Sequence, residues 1–216
     1  MRFDHLLFDF DYTLADSSAG VIDCVRYALN RLDLPPALPA EIRSTIGLSL
    51  PETLRQLAGN GHDKLADDFS RHFIERADRV MVDGTVVFPE VADTLDALSR
   101  DGASLGIVST KYRHRIQAIL GRDNLLDLFD LIVGGEDVPV HKPDPGGLLA
   151  AVERFDVSPT TVLYIGDSAT DAETARRAGT PFAAVLTGVT PPDVFHPYRP
   201  QGIFADLPAL QDWLTN

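Results

Sequence analysis

Leu6-Leu7-Phe8-Asp9-Phe10-Asp11-Tyr12-Thr13-Leu14 is the stretch that decides the fold. Three consecutive apolar residues, closed off by Asp9, are too few for a helix and apolar on both faces. Such a run suits a strand covered on both sides by helices. Beyond Phe8 the order becomes acid, aromatic, acid. Strand alternation sends Asp9 and Asp11 to the same side. Their place, the carboxyl end of a parallel strand, is where open α/β sheets bind ligands. Two like charges set together there are costly unless a cation or a divided role compensates. Helix capping or a turn is the other use of Asp and Thr in such a position.

Similar short runs recur at residues 105–108, 131–133, 162–165 and 182–186, each rich in Val, Ile, Leu or Phe. Helical patterns separate them. Val91, Leu95 and Leu98 share a face, with Gly102 as a stop. Ile116, Ile119 and Leu120 share another, and Leu148, Leu149 and Val152 follow Asp144-Pro145, a cap and first-turn pair. Residues 171–178 run to Gly179. Strand–helix alternation predicts a parallel α/β sheet with right-handed crossovers. The segment from Pro191 to Pro200 reads as an irregular surface loop, and Trp213, beside Leu210 and Leu214, as core packing of a terminal helix.

Residues 16–81 break that rhythm. Val21, Val25, Ala28 and Leu32 mark one helix face, which Ser17 or Ser18 could cap. Leu65, Phe69, Phe73 and Ala77 mark another, with Pro35, Pro36 and Pro39 in the connection. The expected organisation is an α/β core of residues 1–15 and 82–216 with a helical domain, 16–81, inserted after the first strand.

With 216 residues the chain is long enough to bury a full core. Its formal net charge of −13 argues against a nucleic-acid partner, which needs a basic face, and against docking on an anionic membrane. The single cysteine, Cys24, cannot form an intrachain disulfide and packs as a small hydrophobe. No apolar run approaches the ~20 residues that span a bilayer, and acidic residues interrupt the first apolar run early. A cytoplasmic protein is the expectation.

Three further strand ends add chemistry to Asp9 and Asp11. The second strand ends in Ser109-Thr110-Lys111. The fourth ends in Gly166-Asp167-Ser168, with Asp171 four residues after Asp167. His141-Lys142-Pro143-Asp144-Pro145 precedes the Leu148 helix, with His141 read as part of a solvated loop. A hydroxyl, a lysine and more carboxylates on one sheet edge are the inventory of a divalent-metal phosphoryl-transfer site. Mg²⁺ takes carboxylate oxygens, while lysine and hydroxyl groups hold phosphoryl oxygens.

At these residues the sequence resembles the haloacid dehalogenase superfamily of phosphohydrolases, over nearly the whole chain. Residues 9–14 match the first motif, Ser109 the second, Lys142 the third, and Gly166-Asp167 with Asp171 the fourth. The resemblance implies a Rossmann-like parallel-sheet core, and the insert resembles the type-one cap of the phosphoglycolate-phosphatase-like branch. Ile46-Gly47-Leu48-Ser49-Leu50 and Gly106-Ile107-Val108-Ser109-Thr110-Lys111 also resemble pyrophosphatase members of that branch.

The resemblance implies Asp9 as a nucleophile that forms an aspartyl-phosphate, and Asp11 as general acid and base. It implies Mg²⁺ held by Asp9, the Asp11 carbonyl and Asp167, with Asp171 as a ligand or an outer acceptor. Ser109 and Lys142 would contact the phosphoryl group. Tyr12, Thr13 and Thr110 would contact substrate, and Arg43 is either a grip on a second anionic group or a surface charge. The implied substrate is a small phosphorylated metabolite. Phosphoglycolate leads, with pyrophosphate or a nucleotide or sugar phosphate as alternatives. Whether the chain is a monomer or a homodimer is left open.

Tyr12 departs from the family pattern, which has glycine there. Asp11 excludes the dehalogenase and phosphonate-hydrolase relatives, which lack an acid at that position. Val21 and Leu50 stand where the mutases carry histidine and arginine, which disfavours a mutase. A binder without catalysis has no need of both a nucleophile and an acid.

Overall fold

A computed structural model describes residues 1–216. The chain forms two compact units: Met1–Ala15 with Val87–Asn216, and Asp16–Val86.

The larger unit is built on a six-stranded parallel sheet. Its strands are β1 (His5–Phe8), β2 (Ser104–Val108), β3 (Leu131–Val133), β4 (Val162–Gly166), β5 (Phe182–Val185) and β6 (Gly202–Phe204). The spatial order is β3-β2-β1-β4-β5-β6, the doubly wound Rossmann arrangement. β1 is central: Phe8 pairs with Ile107 of β2 on one side and Ile165 of β4 on the other. Leu6, Leu7 and Phe8 are fully buried, as a strand covered on both faces requires. Each contributes roughly 1.5–3 kcal/mol through burial. Helices α5 (Val91–Arg100), α6 (Arg113–Arg122), α7 (Gly146–Arg154), α8 (Ala169–Ala178) and α9 (Leu207–Thr215) complete the layers. Leu7, Val108, Val133 and Tyr164 share a core with Leu148, Ala151 and Val152 of α7 and Ala172 and Ala175 of α8. On α7 the buried face is Leu148, Ala151 and Val152, and Leu149 is exposed.

Two elements differ from expectation at the C-terminal side. Residues 192–198, within the stretch read as an irregular loop, wind into 3₁₀ turns that bury Phe195 against Phe182, ring centroids 6.1 Å apart. The edge strand β6 follows and extends the sheet beside β5. Three half-buried residues carry too little pattern to announce a strand.

The smaller unit contains α1 (Ser18–Arg31), α2 (Pro39–Arg43), α3 (Leu50–Ala58) and α4 (Ala66–Val80). α1 and α4 pack through Val21, Cys24, Val25, Ala28 and Leu29 against Phe69, Phe73 and Ala77. Leu29 takes the buried place expected of Leu32, which instead ends the helix. Ser17 occupies the N-cap, but its hydroxyl makes no capping bond. The Asp16 carboxylate accepts from the Ser18 N–H at 2.8 Å instead. The unit ends at Val86 rather than at 81 because the chain after α4 stays on α1. Gly20 N–H donates to the Gly84 carbonyl at 3.1 Å, and a Cβ on Gly84 would fall 2.7 Å from Gly20 Cα.

Candidate active site

The site lies at the carboxyl ends of β1, β2 and β4 in the larger unit. Asp9 continues β1, its N–H donating to the Ile165 carbonyl at 2.8 Å. The chain then wraps around one carbonyl: Phe10 O accepts from the N–H groups of Thr13, Leu14 and Ala15 at 3.3, 2.9 and 3.1 Å. The turn forces Tyr12 into the left-handed region at φ 62°, a conformation that glycine takes freely and a side chain does not. The Thr187 hydroxyl, just after β5, donates to the Tyr12 carbonyl at 2.6 Å and holds the turn in place.

Lys142 is the hub. Its ammonium lies 2.9 Å from Asp9 Oδ1, 2.5 Å from Asp171 Oδ1 and 3.2 Å from the Tyr164 hydroxyl. Asp11 faces a second buried lysine: Lys111 Nζ is 3.0 Å from Asp11 Oδ1. The Thr13 hydroxyl donates to Asp167 Oδ1 at 3.4 Å. Ser109 extends β2, its N–H donating to the Val133 carbonyl, and its hydroxyl accepts from the Lys111 N–H at 3.3 Å. Ser109, Thr110 and Lys142 line one narrow cleft with His141.

Asp171 sits in the first turn of α8, where it and Ser168 form a reciprocal cap. Its Oδ2 accepts from the Ser168 N–H at 3.2 Å and from the Ser168 hydroxyl at 2.5 Å. Its Oδ1 accepts from Lys142 and Tyr164. The Lys142 ammonium and both Ser168 donors thus hold this carboxylate from two sides, so it anchors Lys142 and α8.

Carboxylate oxygens of Asp9, Asp167 and Asp171 lie within 4.8 Å of one another, all buried. Lys142 answers one of the three negative charges. Burial, opposed by Lys142 and reinforced by Asp171 and Asp11, pushes the Asp9 carboxyl up to about 6. Burial, together with Asp171 and Asp9, holds Asp167 well above the usual carboxylate range. Burial works against the charge on Lys142, but Asp171 and Asp9 outweigh it and hold the ammonium well above its ordinary value. An excess of buried negative charge is the condition a divalent cation relieves. Only glycine fits beside Asp167: a Cβ on Gly188 would stand 1.8 Å from Asp167 Oδ2. Hard oxygen donors of this kind fit Mg²⁺.

Asp9, Asp11, Thr13, Lys142, Asp167 and Asp171 thus come together, with Ser109 and Thr110 at the neighbouring strand end. Tyr12 is buried at the turn. Arg43 belongs to the other unit, exposed at the end of α2. Lys111, Tyr164, Thr187 and Gly188 were not among the expected site residues. Tyr164 carried a signal: a tyrosine inside an otherwise apolar strand must find a partner for its hydroxyl. Nothing local distinguishes Thr187-Gly188 from an ordinary turn.

Residues 6–185 match the family of haloacid dehalogenase-like hydrolases. A phosphoglycolate phosphatase of Escherichia coli (strain K12) is 32% identical, the alignment covering 94% of this chain and 90% of that protein. A crystal structure from Bacteroides fragilis, assigned to the haloacid dehalogenase-like hydrolases, superposes with a TM-score of 0.92 at 42% identity. It covers 96% of this chain and 99% of that one. A Streptococcus pneumoniae protein of the same family shares the fold, with TM-score 0.86 at 23% identity over 98% of each chain. The match runs from the middle of β1 to the end of β5 and so takes in the strand ends that bear Asp9, Ser109 and Asp167, and Lys142 between them. The chain is an enzyme of the haloacid dehalogenase-like hydrolase family.

Proposed function

We propose that the protein is a Mg²⁺-dependent phosphatase that hydrolyses a small phosphorylated metabolite through a covalent intermediate on Asp9. Phosphoglycolate is the leading substrate, on the strength of the Escherichia coli relative. The observation that carries the reading is the pair of buried carboxylate–lysine contacts, Asp9 with Lys142 and Asp11 with Lys111. Two carboxylates side by side, each with its own cation, suit two different tasks.

Asp9 attacks phosphorus, and the bond from phosphorus to the ester oxygen breaks. Asp11 gives that oxygen its proton. Asp11 then takes a proton from water, the water attacks the phosphorus of the acyl phosphate, and Asp9 is released with inorganic phosphate. Lys142 keeps Asp9 ionised and meets the phosphoryl charge, and Ser109 donates to a phosphoryl oxygen. Asp9, Asp167 and the Asp11 carbonyl would hold Mg²⁺, which neutralises phosphoryl charge when bound. Asp171 serves through Lys142 and α8. Thr13 and Thr110 border the substrate, and Tyr12 limits its bulk.

The helical unit is the proposed cap that discriminates among substrates, with Arg43 a candidate grip on a second anionic group. A small phosphorylated partner, no nucleic acid and a cytoplasmic location belong to the same reading. Its support is the charge of −13 and the single cysteine. No helix is long and apolar enough to cross a membrane.

Phosphate release from phosphoglycolate, pyrophosphate and an aryl phosphate, with and without Mg²⁺, tests the reading. Metal-dependent turnover with phosphoglycolate preferred is expected. Preference for pyrophosphate would move the assignment to the alternative, and no release from any ester would refute it.

A further inference from the structure

β4 reads Val162-Leu163-Tyr164-Ile165-Gly166, and Tyr164 at its centre is fully buried. Its hydroxyl has three neighbours. Lys142 Nζ donates to it at 3.2 Å, and Asp171 Oδ1 and the Val108 carbonyl lie at 3.0 and 3.1 Å. These partners come from three separate parts of the chain: the segment before α7, the first turn of α8, and the end of β2, one residue before Ser109. A phenol has one proton and two lone pairs. The Lys142 proton fills a lone pair, and the phenolic proton serves Val108 or Asp171.

Lys142 needs such a partner. Its ammonium is a point charge on a flexible stem, and attraction to Asp9 and Asp171 fixes distances better than direction. The Tyr164 ring is locked in the sheet core, packed beside Phe182 with centroids 6.3 Å apart. A contact from this fixed ring supplies the third reference point.

We propose that Tyr164 is a positioning residue for phosphoryl transfer: its hydroxyl holds Lys142 Nζ at the point between Asp9 and Asp171 from which it serves the nucleophile. It acts through Lys142 and touches no substrate. The inference rests on the phosphatase reading.

Tyr164→Phe removes one oxygen and keeps the ring. With an aryl phosphate, kcat is expected to fall on the order of 10-fold with little change in KM. In a Lys142→Ala background the same change is expected to alter kcat by under about two-fold, because the group it positions is gone. Tyr164→4-aminophenylalanine restores a lone pair and two donors, and most of the activity is expected to return. Should Tyr164→Phe fail to fold, the amino variant carries the comparison. A crystal structure of either variant supplies a readout separate from activity: Lys142 Nζ leaves its pairing with Asp9 in the Phe variant and keeps it in the amino variant. Equal losses in both backgrounds, or an unmoved Lys142, would overturn the proposal. An inactive wild-type enzyme would refute the phosphatase reading, while the position of Lys142 would still decide this one.

Discussion

Lys111 Nζ stands 3.0 Å from Asp11 Oδ1, with both side chains less than a tenth exposed. The general acid of the proposed reaction is therefore held by a buried cation two residues beyond Ser109. Lys111→Met should release Asp11 from that geometry. We expect kcat/KM for an alkyl phosphate, whose leaving oxygen needs the proton, to fall at least about 10-fold, and for a nitrophenyl phosphate to fall less. Lys111→Arg should recover part of the difference. Steady-state kinetics on the two esters checks this, and equal losses would separate Lys111 from the acid step.

Asp9 affects stability as well as chemistry. Burial raises its carboxyl to about 6, so the folded protein binds the proton more tightly than the unfolded chain. For a carboxyl raised on folding, stability grows as pH falls through about 6 and levels off near the ordinary carboxylate value. The contribution is at most roughly 3 kcal/mol. Asp9→Asn should abolish turnover with Mg²⁺ present, and in chelator it should raise the melting temperature at pH 7 and flatten the pH dependence between 4 and 7. Thermal melts across that range measure it, and a destabilised Asn variant would contradict the sign.

Metal removal follows from the same excess of charge. Chelated protein should be inactive, and Mg²⁺ should restore turnover. Mg²⁺ should also raise the melting temperature by mass action on the folded state. Ca²⁺, larger and taking more oxygens, should bind with little activity. Asp167→Asn should weaken the Mg²⁺-induced shift more than Asp171→Asn, because Asp171 already accepts from Lys142 and from both Ser168 donors. Full activity in excess chelator would remove the metal from the mechanism.

Much of this site was legible because strand ends are legible. The apolar run at residues 6–8 stops at Asp9, which marks the strand end, whereas Asp11 is placed by the turn around the Phe10 carbonyl rather than by strand alternation. Lys142 and Asp167 follow the same logic of residues set at the mouth of a parallel sheet. What stayed hidden was pairing across the fold. Nothing near Asp11 in the chain names Lys111 as its partner, 100 positions away. The three contacts of Tyr164 exist only after β2, β4, α8 and the segment before α7 have met. The strand β6 and the 3₁₀ turns before it were hidden for another reason: they are short, rich in proline and carried by tertiary packing around Phe195.

Tyr12 holds a left-handed backbone that costs roughly 1–3 kcal/mol for a residue with a side chain. The Thr187 hydroxyl offsets part of it. Tyr12→Gly should keep Mg²⁺-dependent turnover and raise kcat/KM for bulky esters relative to small ones. Thr187→Val should lower stability by about 1 kcal/mol through the lost hydrogen bond, and by less in the Tyr12→Gly background, where the turn is unstrained. An unchanged ratio of bulky to small substrates would reduce the ring to packing.

The covalent step can be observed on Asp9 itself. Asp11→Asn enzyme, mixed with nitrophenyl phosphate and Mg²⁺ and quenched in acid within one turnover, should carry one phosphoryl group on the peptide containing Asp9. The group should disappear on longer incubation and be absent from Asp9→Ala. Sustained phosphate release by Asp9→Ala, with no phosphorylated peptide in either protein, would show that Asp9 is not the nucleophile.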